Sequence, residues 1–168
     1  MTISMYAASV VPATRTLKAL SNILGKAQAH CEARKIDQQA FLNSRLFPDM
    51  FPMVRQVQIA TDMIKGGVAR LAGAEIPRFD DVEASFEELQ ARIGRTLDFL
   101  ASFKPEDLDG SEDHKILIVR SSGTVEYIGL AYLTEQVLPN FYFHTTTAYN
   151  LLRHGGVEIG KKDFLANH

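Results

Sequence analysis

The segment LPNFYFHTTTAYNLLRHGG, Leu138 to Gly156, sets a histidine among apolar residues. Projected at about 100° per residue, Phe141, His144, Ala148, Leu151 and Leu152 share one helix face, with Asn140 and Thr147 beside His144. An imidazole on the inner face of a helix supports two chemistries. It can be a metal ligand or an acid–base group where facing helices build a site. It can also be a core residue, hydrogen-bonded to Asn140 one turn earlier or to a side chain across the bundle. Arg55, Gln58 and Asp62 follow Phe51 along a line bordering the apolar stripe of an earlier helix. Their types suit a polar ligand or the orientation of His144; they equally suit a solvated helix edge. Tyr149 either offers its hydroxyl to the same space or packs as an aromatic with one polar tip. The ligand-binding candidates are therefore His144, Asn140, Gln58, Asp62, Tyr149 and Arg55.

Other signals for chemistry are weaker. There is no GxGxxG or GxxxxGK[ST] loop for a nucleotide and no GxSxG elbow for a nucleophilic serine; Ser121 and Ser122 read as a turn. Cys31 follows His30, but adjacent helix positions point apart, so Cys31 reads as a buried, inert thiol. His154 falls at a helix C-terminus, where a cation is favoured, His114 precedes a strand, and His168 ends the sequence. The lone cysteine excludes an internal disulfide and fits a reducing compartment. A net charge of −2 with interspersed signs gives no footprint for nucleic acid or for a membrane surface. The start of the sequence does not read as a signal peptide, and no run approaches the roughly 20 apolar residues of a membrane span. The expectation is a cytoplasmic protein of one domain, residues 1–168.

Helical periodicity has to position these groups. Tyr6, Val10, Ala13, Leu17, Leu20, Leu24, Ala27 and Cys31 alternate steps of four and three, the stripe of a long helix. Pro12 interrupts it and predicts a kink or an irregular first turn. Residues 35–52, with Pro48 and Pro52, read as a connection holding one short helical turn. A second long helix is expected from about Met50 to Ala72, with Gly66 and Gly67 inside it. Each of these glycines costs about 1 kcal/mol against alanine, which implies tight packing or a local distortion there. A third is expected from Asp81 to Phe103, capped by Asp80 with Glu83. HKILIV and TVEYIG around RSSG predict a hairpin. The fourth helix begins either near Leu130, bending at Pro139, or at Pro139 itself. It ends at Gly155, leaving a short tail. Four such stripes are buried together most economically in a four-helix bundle.

The blocks SRLFPDMFPMVRQVQIATD (Ser44 to Asp62) and LPNFYFHTTTAYNLLRHGGVEIGKKDFL (Leu138 to Leu165) resemble the signatures of an uncharacterised bacterial family, a domain of unknown function. That family is similar to the DinB/YfiT-like superfamily of four-helix bundles, and the resemblance extends over essentially the whole chain. It implies a bundle with this helix order and frequent homodimerisation; with the hairpin read above, the expected fold is all-α, a DinB-like four-helix bundle with a small β-hairpin between the third and fourth helices, and a homodimer. Many members of the superfamily are regarded as metal-dependent enzymes, some of them transferring small thiol cofactors. They hold a divalent metal, zinc or nickel, with one histidine on the second helix and an HxxxH pair on the last. Here the second helix has no histidine and the last reads His144-Thr-Thr-Thr-Ala148, so one ligand of three remains; Asp62 or Gln58 could substitute as oxygen ligands. Three readings are open. The first is a bundle that has lost the full metal triad and binds a small polar molecule in an inter-helix cleft. The second is a metal-dependent transferase or hydrolase using His144. The third is a non-catalytic structural or interaction protein. Exposed-looking aromatics outside the stripes, Phe47, Phe51, Tyr142 and Phe143, are the candidates for a dimer interface.

Overall fold

The computed structural model describes residues 3–121 and 123–166; Ser122, read above as part of a turn, and His168 lie outside them. The long helix α1 spans Met5–Arg34 and is continuous through Pro12, so of the kink or irregular turn expected there the irregular turn does not form. Its start is capped twice. Ser4 Oγ accepts the Ala7 N–H at 3.3 Å, and Asp109 Oδ1 accepts the Tyr6 N–H at 2.9 Å. The next connection holds α2, Gln38–Leu42, whose N-cap Asp37 accepts from the Gln39 N–H.

The second long helix, α3, spans Met53–Leu71, and the third, α4, spans Phe86–Ala101. The start of α4 corrects the sequence reading. Ser85, not Asp80, is the N-cap: its Oγ accepts the Glu88 N–H at 3.1 Å, and the Glu88 carboxylate accepts the Ala84 N–H. Residues 72–85 form an irregular segment, and Val82, inside the range expected for the third helix, is 77% exposed. After the short helix α5 (Pro105–Leu108) and a single 3₁₀ turn (Ser111–Asp113), β1 (Lys115–Arg120) pairs antiparallel with β2 (Gly123–Ile128). The expected hairpin is present.

The chain becomes helical again at Gly129. A short α6 (Gly129–Ala131) leads into a π-helical stretch, Tyr132–Val137, and then α7, Leu138–His154. Helical structure thus begins near Leu130, and the irregularity sits before Pro139. Proline has no N–H to donate to the carbonyl four residues back. The Leu138 N–H bonds five residues back, to Leu133 O, and the helix continues in a wider register. At the other end Gly156, with φ of 92°, takes the left-handed position. The Val157 N–H returns to Leu152 O and the Gly156 N–H to Arg153 O, a Schellman closure. Gly155 has a different role: a Cβ there would lie 2.4 Å from the Phe41 ring. The expected tail holds a further helix, α8 (Lys161–Leu165), packed on α1 and tied to it by Lys26 Nζ on Asp163 Oδ1 at 2.6 Å.

The bundle helices are α1, α3, α4 and α7. The helix α3 lies against α7 and α4, and α1 completes the ring against α4 and α7. Leu17, Leu24, Val57, Ile64, Ile93, Phe141 and Leu152 are all fully buried within it. Gly67 explains itself here, since a Cβ would lie 2.5 Å from Val137 Cγ1. The stiff valine cannot swing away, so tight packing compensates for the glycine. Gly67→Ala is expected to lower stability by about 1–2 kcal/mol in urea denaturation, overpacking outweighing the gain in helix propensity. The loss should be largely relieved in the Gly67→Ala/Val137→Ala pair; fully additive costs would refute the contact as its cause.

Candidate functional site

His144 is nearly buried, 9% exposed, on the face of α7 that meets α3. Its Nδ1 lies 2.7 Å from Gln56 Oε1. The amide of Gln56 is itself oriented, because its Nε2 donates to Phe51 O at 2.9 Å. Its oxygen must therefore accept, so Nδ1 of the imidazole carries the proton and Nε2 carries the lone pair. Nε2 has no hydrogen-bond partner among the described residues, and it is not shut off from the surface as the buried, unpaired Ser111 Oγ is. Burial, and then the positive charge of Arg55, hold the imidazole pKa below its ordinary 6.5. The ring is a neutral, tautomerically fixed hydrogen-bond acceptor.

The partners expected for His144 are placed differently. Asn140 Nδ2 donates to Gln136 O one turn back, at 2.6 Å, rather than to the imidazole. Tyr149 packs edge-on against Phe164 of α8, with ring centres 5.7 Å apart. On α3, Gln58 and Asp62 lie about 200° and 240° around the helix from Gln56, so they face α4 and the 72–85 segment while Gln56 faces α7. Arg55 stands between the two sides. Its Nη1 donates to Gln58 Oε1 at 3.2 Å and makes a very close ion pair with Asp81. The line Arg55–Gln58–Asp62 is thus real, but it serves a second cluster.

Arg92 of α4 is the centre of that cluster and is fully buried. Its Nη2 meets Asp62 Oδ1 at 2.9 Å and Asp81 Oδ1 at 3.1 Å, and its Nη1 meets Glu83 Oε1 at 3.1 Å. Nη1 also donates to Asp80 O at 3.1 Å, and Nε to Thr61 Oγ1 at 2.8 Å. Glu83, whose side chain is only 4% exposed, accepts further from Gln58 Nε2 at 2.9 Å. A buried guanidinium cannot deprotonate, and this one has a partner on every nitrogen. Phe79 closes the group, with Lys65 Nζ 3.8 Å and Arg95 Cζ 4.5 Å from its ring centre.

Gln56, Arg92, Asp81, Glu83 and Lys65 are therefore site residues that sequence reasoning missed. Gln56 had a usable signal: it lies three residues after Met53 and four before Ala60, both fully buried. Arg92 had a comparable one, beside Ile93 and one turn before Thr96 on the buried stripe.

The donor set does not fit the divalent metal that the resemblance implies. The residue of α3 that meets His144 is an amide, Gln56, and the position one turn after His144 is Ala148. Asp62, the possible substitute, is engaged by Lys65 and Arg92. Among the described residues no group of three or more His, Cys, Asp or Glu is arranged to hold a metal ion.

Residues 5–165 match the family described as Domain of unknown function (DUF1993). A solved structure, described as a DinB family member protein from Shewanella denitrificans at 1.83 Å resolution, is similar with a TM-score of 0.88 and 43% sequence identity. The similarity covers 96% of this chain and 91% of that one. None of the curated proteins compared matches the chain. No helix among the described residues is long and apolar enough to cross a membrane.

The depressed pKa of His144 has a stability consequence. Above about pH 6.5 the ring is neutral in both the folded and unfolded states and its contribution is complete. As pH falls below that, the unfolded chain binds a proton that the folded ring refuses, so stability declines until the folded pKa is reached. Urea unfolding between about pH 7 and 5 should therefore show a shallower pH slope for His144→Gln than for the wild type. Parallel slopes would mean that the ring does not resist protonation.

Proposed function

The chain belongs to the DUF1993 family, and from that premise we propose that this DinB-like bundle binds a small polar molecule at the rim between α3 and α7. The observation that carries the reading is the state of His144. One ring nitrogen is fixed by Gln56, and the other presents a lone pair with no protein partner among the described residues. A fixed ring whose free nitrogen reaches the surface is positioned to accept from a donor on a ligand. Arg55 stands close enough for its charge to act on the imidazole, and its side chain is 37% exposed. A ligand with an anionic or acceptor group for Arg55 and a hydroxyl or N–H donor for His144 Nε2 matches this pair. Gln56 fixes the imidazole, Gln58 and Asp81 hold the Arg55 guanidinium, and Asp62, Asn140 and Tyr149 are peripheral to the pair.

A panel of small hydroxy- and amino-carboxylates, followed by the imidazole ¹⁵N resonances, tests the proposal. A ligand should move the Nε2 resonance in a saturable way, and Arg55→Gln or His144→Gln should weaken its binding by about tenfold or more, the scale of one charge-assisted contact. If His144→Gln only lowers stability and leaves binding unchanged, the site is elsewhere. The alternative of a metal-dependent transferase or hydrolase using His144 has less support, because the nearby donors are an amide and a carboxylate already paired with cations.

A second reading, assembly as a homodimer, draws on a separate observation. Leu46 and Phe143, 44% and 57% exposed, line a hollow between the 44–52 connection and α7, and Phe47 and Phe51 of the same connection are 62% and 53% exposed. Aromatic side chains grouped this way are the material of interface cores. Sedimentation velocity at micromolar concentration should show a dimer that Phe47→Asp with Phe143→Asp dissociates. A wild-type monomer would remove this reading while leaving the ligand site untouched.

A further inference from the structure

A hollow of 360 Å³ lies on the far side of the Arg92 cluster from His144, between α3 and the 72–85 segment. Lys65, Arg70 and Arg78 line it, and the only carboxylate among its lining residues is Asp62. In a chain of net charge −2 this excess of positive charge is local. It is also built rather than incidental. Lys65 has a side chain only 4% exposed; its ammonium gives one hydrogen bond to Asp62 Oδ1 at 2.9 Å and sits over the Phe79 ring. That same oxygen already serves Arg92 at 2.9 Å, so one negative charge is divided between two buried cations. A buried ammonium with an incomplete counter-charge is costly, and an anion in the hollow would complete it.

Arg70 is placed by two contacts of its own. Its Nη1 donates to Tyr132 OH at 3.2 Å, and its guanidinium lies over Gly66, where a Cβ would be 2.8 Å from Nη1. The glycine that looked costly inside a helix lets this guanidinium lie close to α3. Arg78 is 92% exposed and gives only its Nε to Asp80, at 3.3 Å. The remaining terminal nitrogens of Arg70 and Arg78 have no partner among the described residues. Ile76 and Pro77 add an apolar rim.

We propose that this hollow binds a doubly charged oxyanion, inorganic phosphate or a small phosphate monoester. Asp80 pairs with Arg78 and Asp62 is shared with Arg92, yet Lys65, Arg70 and Arg78 still leave the lining net positive. Two guanidinium forks with an ammonium suit the several oxygens of a phosphate better than the two of a carboxylate. Lys65 and Arg70 form the preset wall, and Arg78 closes over the anion from the solvent side.

Phosphate stabilises folded proteins generally, by exclusion from their surface, so binding has to be read directly. Isothermal titration of the full chain with inorganic phosphate, ionic strength held constant with chloride, is expected to give saturable heat at one phosphate per chain. Arg78→Gln, at an exposed position that should leave the unfolding transition unchanged, is expected to weaken binding about tenfold, and Arg70→Gln with Arg78→Gln to abolish it. Tighter binding of phenyl phosphate than of phosphate, lost in Ile76→Ser, would assign the apolar rim to the organic part of a monoester; equal affinities would assign free phosphate. Absence of saturable heat, or binding indifferent to the double substitution, overturns the proposal. His144→Gln should leave the phosphate isotherm unchanged, which separates this site from the one at the α3–α7 rim.

Discussion

An arginine side chain keeps its proton under any condition a folded protein survives, so burying Arg92 obliges the rest of the chain to deliver negative charge to it. Asp62 comes from α3, and Asp81 and Glu83 from the segment ahead of α4. Thr61 and the carbonyl of Asp80 complete the fork. The obligation shapes the backbone. Residues 80–85 could have wound into the start of α4, but in a helix Asp81 and Glu83 would point about 200° apart. The irregular course lets both reach one guanidinium, and Ser85 begins the helix only after they have done so. Gln58 and Arg55 join through Glu83 and Asp81, so the charge network spreads along α3 towards the His144 side.

The second buried polar group is handled by the opposite device. Where Arg92 stays charged and collects carboxylates, His144 stays neutral and is met by an amide. An amide can fix a tautomer without attracting a proton to the ring, which a carboxylate in the same place would do. The pairing of His144 with Gln56 and the charging of Arg92 are thus compatible within one small bundle. Each polar group has a partner of the kind its own charge state requires, and α3 carries those partners on different faces.

Much of the architecture was legible in the sequence because it is written in apolar spacing. The stripes of α1, α3, α4 and α7 and the hairpin derive from periods of 3.6 and 2, and the connection holding the short helix after α1 shows as the break in that pattern. His144 could be placed on a buried face for the same reason. The illegible part depends on partners distant in sequence. Nothing local to Asp80 and Glu83 says that Arg92 will claim the segment; read locally, an Asp followed three residues later by a Glu is a helix cap. Gln58 and Asp62 share a side of α3 with Arg55 by helical spacing alone, but which neighbouring helix each faces is set by packing order around the bundle. Gln56 was hidden by the breadth of burial on α3, where a single stripe is too narrow a description of a helix covered on two sides.

The π-helical stretch before Pro139 has a bearing on more than local comfort. A π turn holds about one residue more than an α turn, so it acts as a phase shifter between the hairpin and α7. Wound as an ordinary α-helix, the same residues would turn α7 by about 100° relative to α6. With the hairpin anchored, the rotation would carry His144 off the α3 face and Val137 away from Gly67. In a bundle of this kind the azimuth of a buried side chain can therefore be set two turns upstream, by how a short stretch of helix is wound.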